Sequence, residues 1–357
     1  MAYISIQPKD NFNVITYTGT GAAQSITGVG FRPDLIWIKR YDGTAEHKLF
    51  DTNRNDYFSK KALELTTDAL IPDTTLMQSL DADGFSLAGT VNGNTNTEKY
   101  VAFCWKGGGS VSEDNYDGSG NPDGNAEDST VSVNTAAGIS VIQYRGTGGG
   151  GANVWRTHAL GAVPTWQVFK CIQGRTLNWF SWHTKIASSK YASQLNTTAV
   201  ATAFATAWHS TDPLANLFIT GSANEVNEAS NEYVNYCFTD IKGFSKMGSY
   251  EGTGNADGTF VYTGFRPAWV VVKNTENATT NHYMWDKKRL GYNVDNNALY
   301  PNTTAAHQTN DEVDFLSNGF KIRNSDGGVN GSGEEIIYSA FAEFPLVSSN
   351  KIPGLAR

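Results

Sequence analysis

The chain has 357 residues, of which 39% are hydrophobic, 12% aromatic and only 17% charged. A formal net charge of −8 argues against binding to a phosphate backbone, because that contact needs clustered lysine and arginine. A weakly charged, polar surface with 36 glycines is typical of an extracellular or assembly-forming β protein.

A glycine-rich motif occurs three times along the chain. Each copy reads Tyr-x-Gly-Thr-Gly, then a Gly-x-x-Pro corner, then an apolar strand that ends in lysine. The copies begin at Tyr17, Tyr144 and Tyr250. Their apolar strands end at Lys39, Lys170 and Lys273. An internal repeat of this length predicts three related structural units in tandem.

Further landmarks follow each motif in the same order. A Val-Asn pair occurs at Val91-Asn92, Val226-Asn227 and Val329-Asn330. An aromatic-rich closing strand follows at Tyr100–Trp105, Tyr233–Phe238 and Ile336–Phe341. These short strands between turns predict an all-β fold of three tandem related β-sandwich repeats, jelly-roll or lectin-like in kind.

The landmarks also divide the chain. Residues 1–11 form an N-terminal arm, and β repeats 1, 2 and 3 occupy residues 12–106, 139–239 and 245–342. Residues 107–138, acidic and rich in Gly, Ser and Asn, predict a flexible or surface-laid linker. Residues 343–357 predict an extended C-terminal tail, and the alanine-rich stretch from Thr197 to Trp208 predicts a short helix or turn.

The sequence carries no recognisable catalytic motif, so we predict no catalytic residue, no metal site and no cofactor, and we do not expect an enzyme. The six histidines lack metal-ligand spacing, and no nucleophile elbow or phosphate loop is present. Asp81 and Asp83 begin like a calcium loop, but the distal glutamate is missing, so an ordinary Asp-Gly turn is the preferred interpretation. Cys104 and Cys237 occupy equivalent positions in two closing strands and are interpreted as buried free thiols.

Two sets of repeated residues are the candidates for a special role. Asp51 with Arg54 and Asp286 with Arg289 are predicted to form structural ion pairs at equivalent corners. Tyr17, Tyr144 and Tyr250 share one repeated position, where exposed rings would stack on sugars. The alternative, which we prefer, is that these tyrosines belong to the cores and that their hydroxyls are hydrogen-bonded.

The chain resembles a family of repeat-containing virion structural proteins of marine and cyanobacterial bacteriophages, similar to tail fibres. The residues that carry the resemblance are Tyr-Thr-Gly-Thr-Gly at 17–21, Gly-Phe-Arg-Pro at 30–33 and 264–267, Tyr-Val-Ala-Phe-Cys-Trp at 100–105 and Ala-Phe-Ala-Glu-Phe-Pro at 340–345. The opening Met-Ala-Tyr-Ile is similar to the start of many tail-associated proteins, although Ser5 replaces the usual glycine. The resemblance implies a virion component and brings no catalytic residues with it.

From this resemblance we expect a tail fibre or similar appendage involved in host attachment. The alternatives are a capsid-surface decoration or fixed tail component without a receptor role, and a lectin-like array of carbohydrate-binding modules. Expected partners are other virion proteins and a host surface glycan, with neither nucleic acid nor membrane insertion. The chain forms either a homo-oligomer, such as a trimer, or a pseudo-threefold monomer. No signal peptide is expected, so the protein is made in the host cytoplasm and located in the virion.

Overall fold

A computed structural model describes residues 6–54, 62–66, 76–89, 93–108, 110–113, 129–148, 154–186, 191–208, 211–289, 293 and 295–344. In these residues the fold is all-β, with strands arranged in several sheets and a few single-turn helices. Strands and helices are numbered in chain order. None of the described helices is long and apolar enough to cross a membrane.

Three larger sheets form the frame of the molecule. The first contains β1 (Phe12–Thr18), β3 (Leu35–Arg40), β4 (Lys48–Asp51), β5 (Leu63–Glu64) and β8 (Lys99–Trp105), in the order β1-β8-β3-β4-β5. The second contains β9 (Ser110–Glu113), β10 (Ser129–Asn134), β11 (Ile139–Arg145), β13 (Trp166–Gln173), β14 (Phe180–His183), β15 (Tyr191–Gln194), β16 (Thr202–Ala203) and β18 (Glu232–Phe238), in the order β16-β15-β14-β13-β18-β11-β10-β9. The third contains β19 (Ser245–Glu251), β21 (Arg266–Asn274), β22 (His282–Asp286) and β26 (Glu335–Phe344), in the order β19-β26-β21-β22.

A smaller sheet accompanies each larger one. These sheets contain β2 (Gln24–Thr27), β7 (Gly84–Leu87) and β6 (Met77–Asp81); β12 (Val154–Thr157) and β17 (Leu217–Thr220); and β20 (Phe260–Tyr262), β25 (Gly319–Ile322), β24 (Gln308–Leu316) and β23 (Asp295–Ala298). The helices are a 3-10 turn at Pro8–Asp10, α1 (Ala205–Trp208), α2 (Asn224–Asn227) and α3 (Gly327–Asn330). We call β1–β8 the first sheet pair, β9–β18 the second and β19–β26 the third.

The same strand order recurs in all three larger sheets. The closing strand lies between the opening strand and the strand that ends in the motif lysine, with antiparallel pairing on both sides. Even the register agrees: Phe12 opposes Trp105, Ile139 opposes Phe238, and Ser245 opposes Phe341. The order of landmarks along the sequence therefore corresponds to an order of strands in space.

Each larger sheet is covered on both faces. In β8, Tyr100, Ala102 and Cys104 face the core that the first sheet pair encloses, whereas Val101, Phe103 and Trp105 point the other way. Because alternate residues of a strand point to opposite faces, a strand buried on both sides needs apolar residues at every position. This explains why the closing strands read as nearly continuous apolar runs.

The outward-turned faces of the three larger sheets meet in one central core. Its aromatic centre takes residues from every sheet pair: Trp105 lies with ring centroids 6.2 Å from Phe238, 5.7 Å from Trp269 and 5.7 Å from Phe341. The Phe238 and Phe341 rings are 5.6 Å apart. Since apolar burial is the main favourable term in folding, this shared core holds the three sheet pairs together as one body.

Two sequence-based predictions differ from the structure in detail. The predicted linker at 107–138 contains β9 and β10, which extend the second larger sheet, because Val131 alternates with polar residues and enters the second core. The stretch from Thr197 to Trp208, predicted as a short helix or turn, contains β16 followed by the single-turn helix α1. The predicted N-terminal arm is described from residue 6, and residues 345–357 of the tail lie outside the described residues.

Candidate functional site

Tyr144 and Tyr250 are buried in the cores of their sheet pairs, and Tyr17 is half-buried against the core of the first. Each hydroxyl donates a hydrogen bond to a backbone carbonyl of the loop that precedes the closing strand. The pairs are Tyr17 with Gly93 (2.7 Å), Tyr144 with Val226 (2.7 Å) and Tyr250 with Val329 (2.8 Å). The rings of Tyr17 and Tyr144 also stack on closing-strand tyrosines, with centroids 5.2 and 5.3 Å apart. The geometry thus gives these residues a place in the cores, and a sugar-binding role for them stays a prediction.

A buried asparagine next to each accepting carbonyl completes the motif. Asn94, Asn227 and Asn330 are fully buried. Each side-chain oxygen accepts a hydrogen bond from the motif threonine's backbone N–H, while each side-chain amide donates to loop carbonyls. Asn92, which the Val-Asn pattern pointed to, lies outside the described residues. The better signal was spacing, because each buried asparagine stands six residues before its closing strand, at Tyr100, Tyr233 and Ile336.

The two glycines of the motif are needed for two different physical reasons. A Cβ on the first glycine would stand 2.1 Å from a backbone oxygen in all three copies, at Gly19, Gly146 and Gly252. The second glycine has a left-handed backbone in all three copies, with φ of +66° at Gly21, +77° at Gly148 and +65° at Gly254. A side chain is excluded at the first position by contact and disfavoured at the second by conformation. The turn therefore requires glycine at both positions of the motif.

The predicted ion-pair residues are buried at equivalent corners. Arg54 Nε donates to Asp51 Oδ2 at 2.6 Å, and Arg289 Nε donates to Asp286 Oδ2 in the same arrangement. The other carboxylate oxygen accepts backbone N–H groups of the following turn in both cases. In the second sheet pair His183 takes this place, and its Nε2 lies 3.1 Å from the Tyr338 carbonyl. These corners lie at the boundaries between sheet pairs.

Contacts between the sheet pairs close a ring. The first meets the second where the Tyr236 hydroxyl donates to Asp51 at 2.8 Å. The second meets the third at the contact of His183 with the Tyr338 carbonyl. The third meets the first where the Ala45 N–H donates to the Thr304 carbonyl at 2.9 Å. These three contacts join the first sheet pair to the second, the second to the third, and the third back to the first.

Two of the motif lysines donate hydrogen bonds across the boundaries between sheet pairs. Lys39 Nζ donates to the carbonyls of Ala45 (2.7 Å) and Thr304 (2.9 Å), and Lys273 Nζ to those of Thr198 (3.0 Å) and Thr280 (2.6 Å). Burial lowers the pKa of Lys39 to about 7 and that of Lys273 to about 8. Each ammonium joins its own sheet pair to a neighbouring one, so these two lysines contribute to the contacts that close the ring.

The carboxylates of the loop that resembles a calcium site are engaged within the chain. Asp83 accepts the backbone N–H groups of Gly28 (3.1 Å) and Gly30 (2.6 Å), and Asp81 accepts the hydroxyls of Ser79 (2.8 Å) and Ser86 (2.7 Å). Among the described residues, no three His, Cys, Asp or Glu side chains are arranged to hold a metal ion. The geometry describes an Asp-Gly turn, as the preferred interpretation of the sequence has it.

The third smaller sheet carries a feature that sequence reasoning missed. Phe260 and Tyr262 are 43% and 63% exposed, on either side of the buried Val261 in the edge strand β20. The signal was available in the sequence, because aromatic residues at i and i+2 of a strand share a face. This pair is the candidate contact surface of the molecule, and we call it the aromatic edge.

The chain was compared with known proteins. A family model described as a domain of unknown function (DUF7483) matches residues 7–345. The chain belongs to this family. The comparison with curated proteins and with solved structures gave no match. Because the DUF7483 match runs through all three sheet pairs, the family is defined by the whole ring and not by one sheet pair.

Proposed function

We propose that the protein is a bacteriophage virion structural protein, a tail fibre or similar appendage that takes part in host attachment. In this proposal three tandem related β-sandwich repeats build a pseudo-threefold ring from a single chain. The equivalent strand orders and registers of the three larger sheets support the triplication. The resemblance of the motifs to phage structural proteins supports the location.

One observation carries the proposal: the repeated polar residues are used to build the ring. Motif tyrosines, asparagines and lysines donate to the chain's own carbonyls, and the corner carboxylates are bonded within the ring. A ring with a shared apolar core is a rigid body, and rigid bodies suit the display of surfaces on a particle. Because these groups are engaged in hydrogen bonds within the chain, an assembly role is favoured over a catalytic one.

The size of the protein in solution is the first test. A chain that closes its own ring is expected to be a monomer of about 38.7 kDa by light scattering. A homotrimer stable at micromolar concentration would contradict the idea that one chain supplies all three positions of the ring.

The position on a particle is the second test. Cryo-electron microscopy of a phage that carries the protein should locate it at the distal or lateral tail, with the smaller sheets turned outward. Isolated protein should then reduce adsorption of that phage to its host. A location on the capsid, or one enclosed by other tail proteins, would replace attachment by a decorating or fixed structural role.

A further inference from the structure

The fold does not require the exposed aromatic side chains of the aromatic edge. The first sheet pair provides the comparison: in β2, Ile26 opposes Phe85 just as Val261 opposes Phe320 in β20. The flanking positions in β2 are Ser25 and Thr27, both exposed. Because the same strand is built there with small polar side chains, Phe260 and Tyr262 are not needed for folding.

Both rings lie close to glycine backbone. Cε2 of the Phe260 ring is 3.2 Å from where a Cβ on Gly319 would stand, and the Tyr262 ring is 3.6–3.8 Å from the corresponding point at Gly264. Gly319 also stands directly opposite Tyr262 in the sheet. The absence of side chains at these two positions leaves the rings open to solvent.

The groups around the rings are charged but balanced. Lys321, which opposes Phe260, pairs with Asp257, and Arg323 pairs with Asp314 at 3.2 Å. Asp257 and Arg323 are themselves well exposed, with side chains 78% and 45% accessible. The charges of these four described side chains cancel, while their exposed polar atoms remain able to exchange hydrogen bonds with a bound molecule.

We propose that the aromatic edge binds an uncharged glycan by stacking pyranose rings on Phe260 and Tyr262. The C–H groups on one side of a pyranose form an apolar, slightly positive surface that matches the negative face of an aromatic ring. Side chains two residues apart on a strand stand about 7 Å from each other, so the two rings contact neighbouring sugars of one chain. Asp257 and Arg323 lie at the border of the aromatic edge. There Asp257 accepts hydrogen bonds from sugar hydroxyls, and Arg323 donates hydrogen bonds to them.

The pairing of these two cations with two anions argues for this occupant over a charged polymer. A nucleic acid or an acidic polysaccharide would need an excess of positive charge, and the ion pairs of this face cancel instead. The inference deepens the proposed attachment role and rests on it for the source of the glycan. The binding itself is a property of the isolated protein.

The test is affinity electrophoresis of the full chain in native gels that contain dextran, mannan or galactan, together with an array of neutral oligosaccharides. We expect at least one of these probes to retard the natural protein. The double variant Phe260→Ser/Tyr262→Thr gives β20 the two side chains that stand at the equivalent positions of β2. It should weaken that binding by about tenfold or more. Tyr262→Phe keeps the ring and should stay within about threefold of the natural protein.

Three results would overturn the proposal. They are no retardation by any probe, undiminished binding by the folded double variant, and self-association of the natural protein that the double variant abolishes. The last would make the aromatic edge a contact between copies of the chain. If the protein binds a glycan but does not lie on a phage tail, the binding site is supported and the attachment role is refuted. The failure of this proposal and the failure of the proposed function are therefore distinguishable.

Discussion

The histidines at and near the ring boundaries predict loss of stability in acid. His183 Nδ1 accepts the Lys185 N–H at 3.1 Å, and its Nε2 lies 3.1 Å from the Tyr338 carbonyl. His158 is held in the same way, with Nδ1 accepting the Leu160 N–H and Nε2 beside the Leu214 carbonyl. Both rings therefore carry their proton on Nε2 and are neutral. A second proton on Nδ1 would face an N–H donor instead of an acceptor.

The size of the effect follows from the pKa values. Burial lowers the pKa of His158 and of His183 from 6.5 to about 4. Between these values the unfolded chain binds protons that the folded chain does not, so the free energy of unfolding is largest above pH 6.5 and falls as the pH is lowered towards 4. Each residue accounts for a loss of about 2 kcal/mol at pH 5 and about 3 kcal/mol once both states are protonated. His47 and His282, whose pKa values burial also lowers, act in the same direction.

The assay is urea unfolding followed by circular dichroism at pH 7 and pH 5. Replacing His183 with Gln keeps a neutral hydrogen-bonding side chain and should remove about 2 kcal/mol of the difference between the two pH values. The same change at His307, which is half-buried, is the control and should alter the difference less. A His183→Gln variant that loses as much stability between pH 7 and pH 5 as the natural protein would refute the reasoning.

Three further predictions concern the motif, the corners and the thiols. Gly19→Ala brings a Cβ to 2.1 Å from the Thr95 carbonyl oxygen and should cost about 2 kcal/mol or more in unfolding free energy. Gly327→Ala, whose Cβ would stand 3.6 Å from Asn277 Nδ2 in ordinary van der Waals contact, should cost less than about 1 kcal/mol; equal costs would contradict the steric argument. Asp51→Ala removes the carboxylate that pairs with the buried Arg54 guanidinium and should cost about 3–5 kcal/mol by denaturant titration. Asp51→Leu/Arg54→Met removes both charges and should recover part of that loss; a double variant no better than the single one would show that the charge is not the cause. The three cysteines are free and buried, and burial raises the pKa of the Cys104 thiol, so a thiol reagent should label the protein only after unfolding; rapid labelling of native protein would disprove their enclosure.

Much of the fold was readable from the sequence because the repeats are local patterns. Tyr-x-Gly-Thr-Gly marks a turn that needs glycine at two positions for different reasons, and the aromatic-rich run Tyr100–Trp105 marks a strand. Neither depends on distant residues. The prediction of a linker did not include the strands β9 and β10 near its two ends. These strands are stabilised by pairing with β11 and with each other, and amino-acid composition does not reveal such pairing.

The candidate site was less predictable for a related reason. The repeated tyrosines had two interpretations, core or ligand, and the position of the Gly93, Val226 and Val329 carbonyls decides where their hydroxyls point. Phe260 and Tyr262 were missed because exposure of an aromatic residue depends on what lies over it. Their neighbours in the sheet, Gly319 and Gly264, are close only after folding.

The sequence by itself determined the strands, the turns and their threefold recurrence, since propensity, alternation and glycine positions act over a few residues. Only the tertiary structure decided that the three larger sheets turn their second faces toward one aromatic core and that the contacts at Asp51, His183 and Thr304 close a ring. These contacts join residues far apart in the chain. Whether an apolar face meets another sheet or the solvent is set by packing of the whole molecule, which no local pattern encodes.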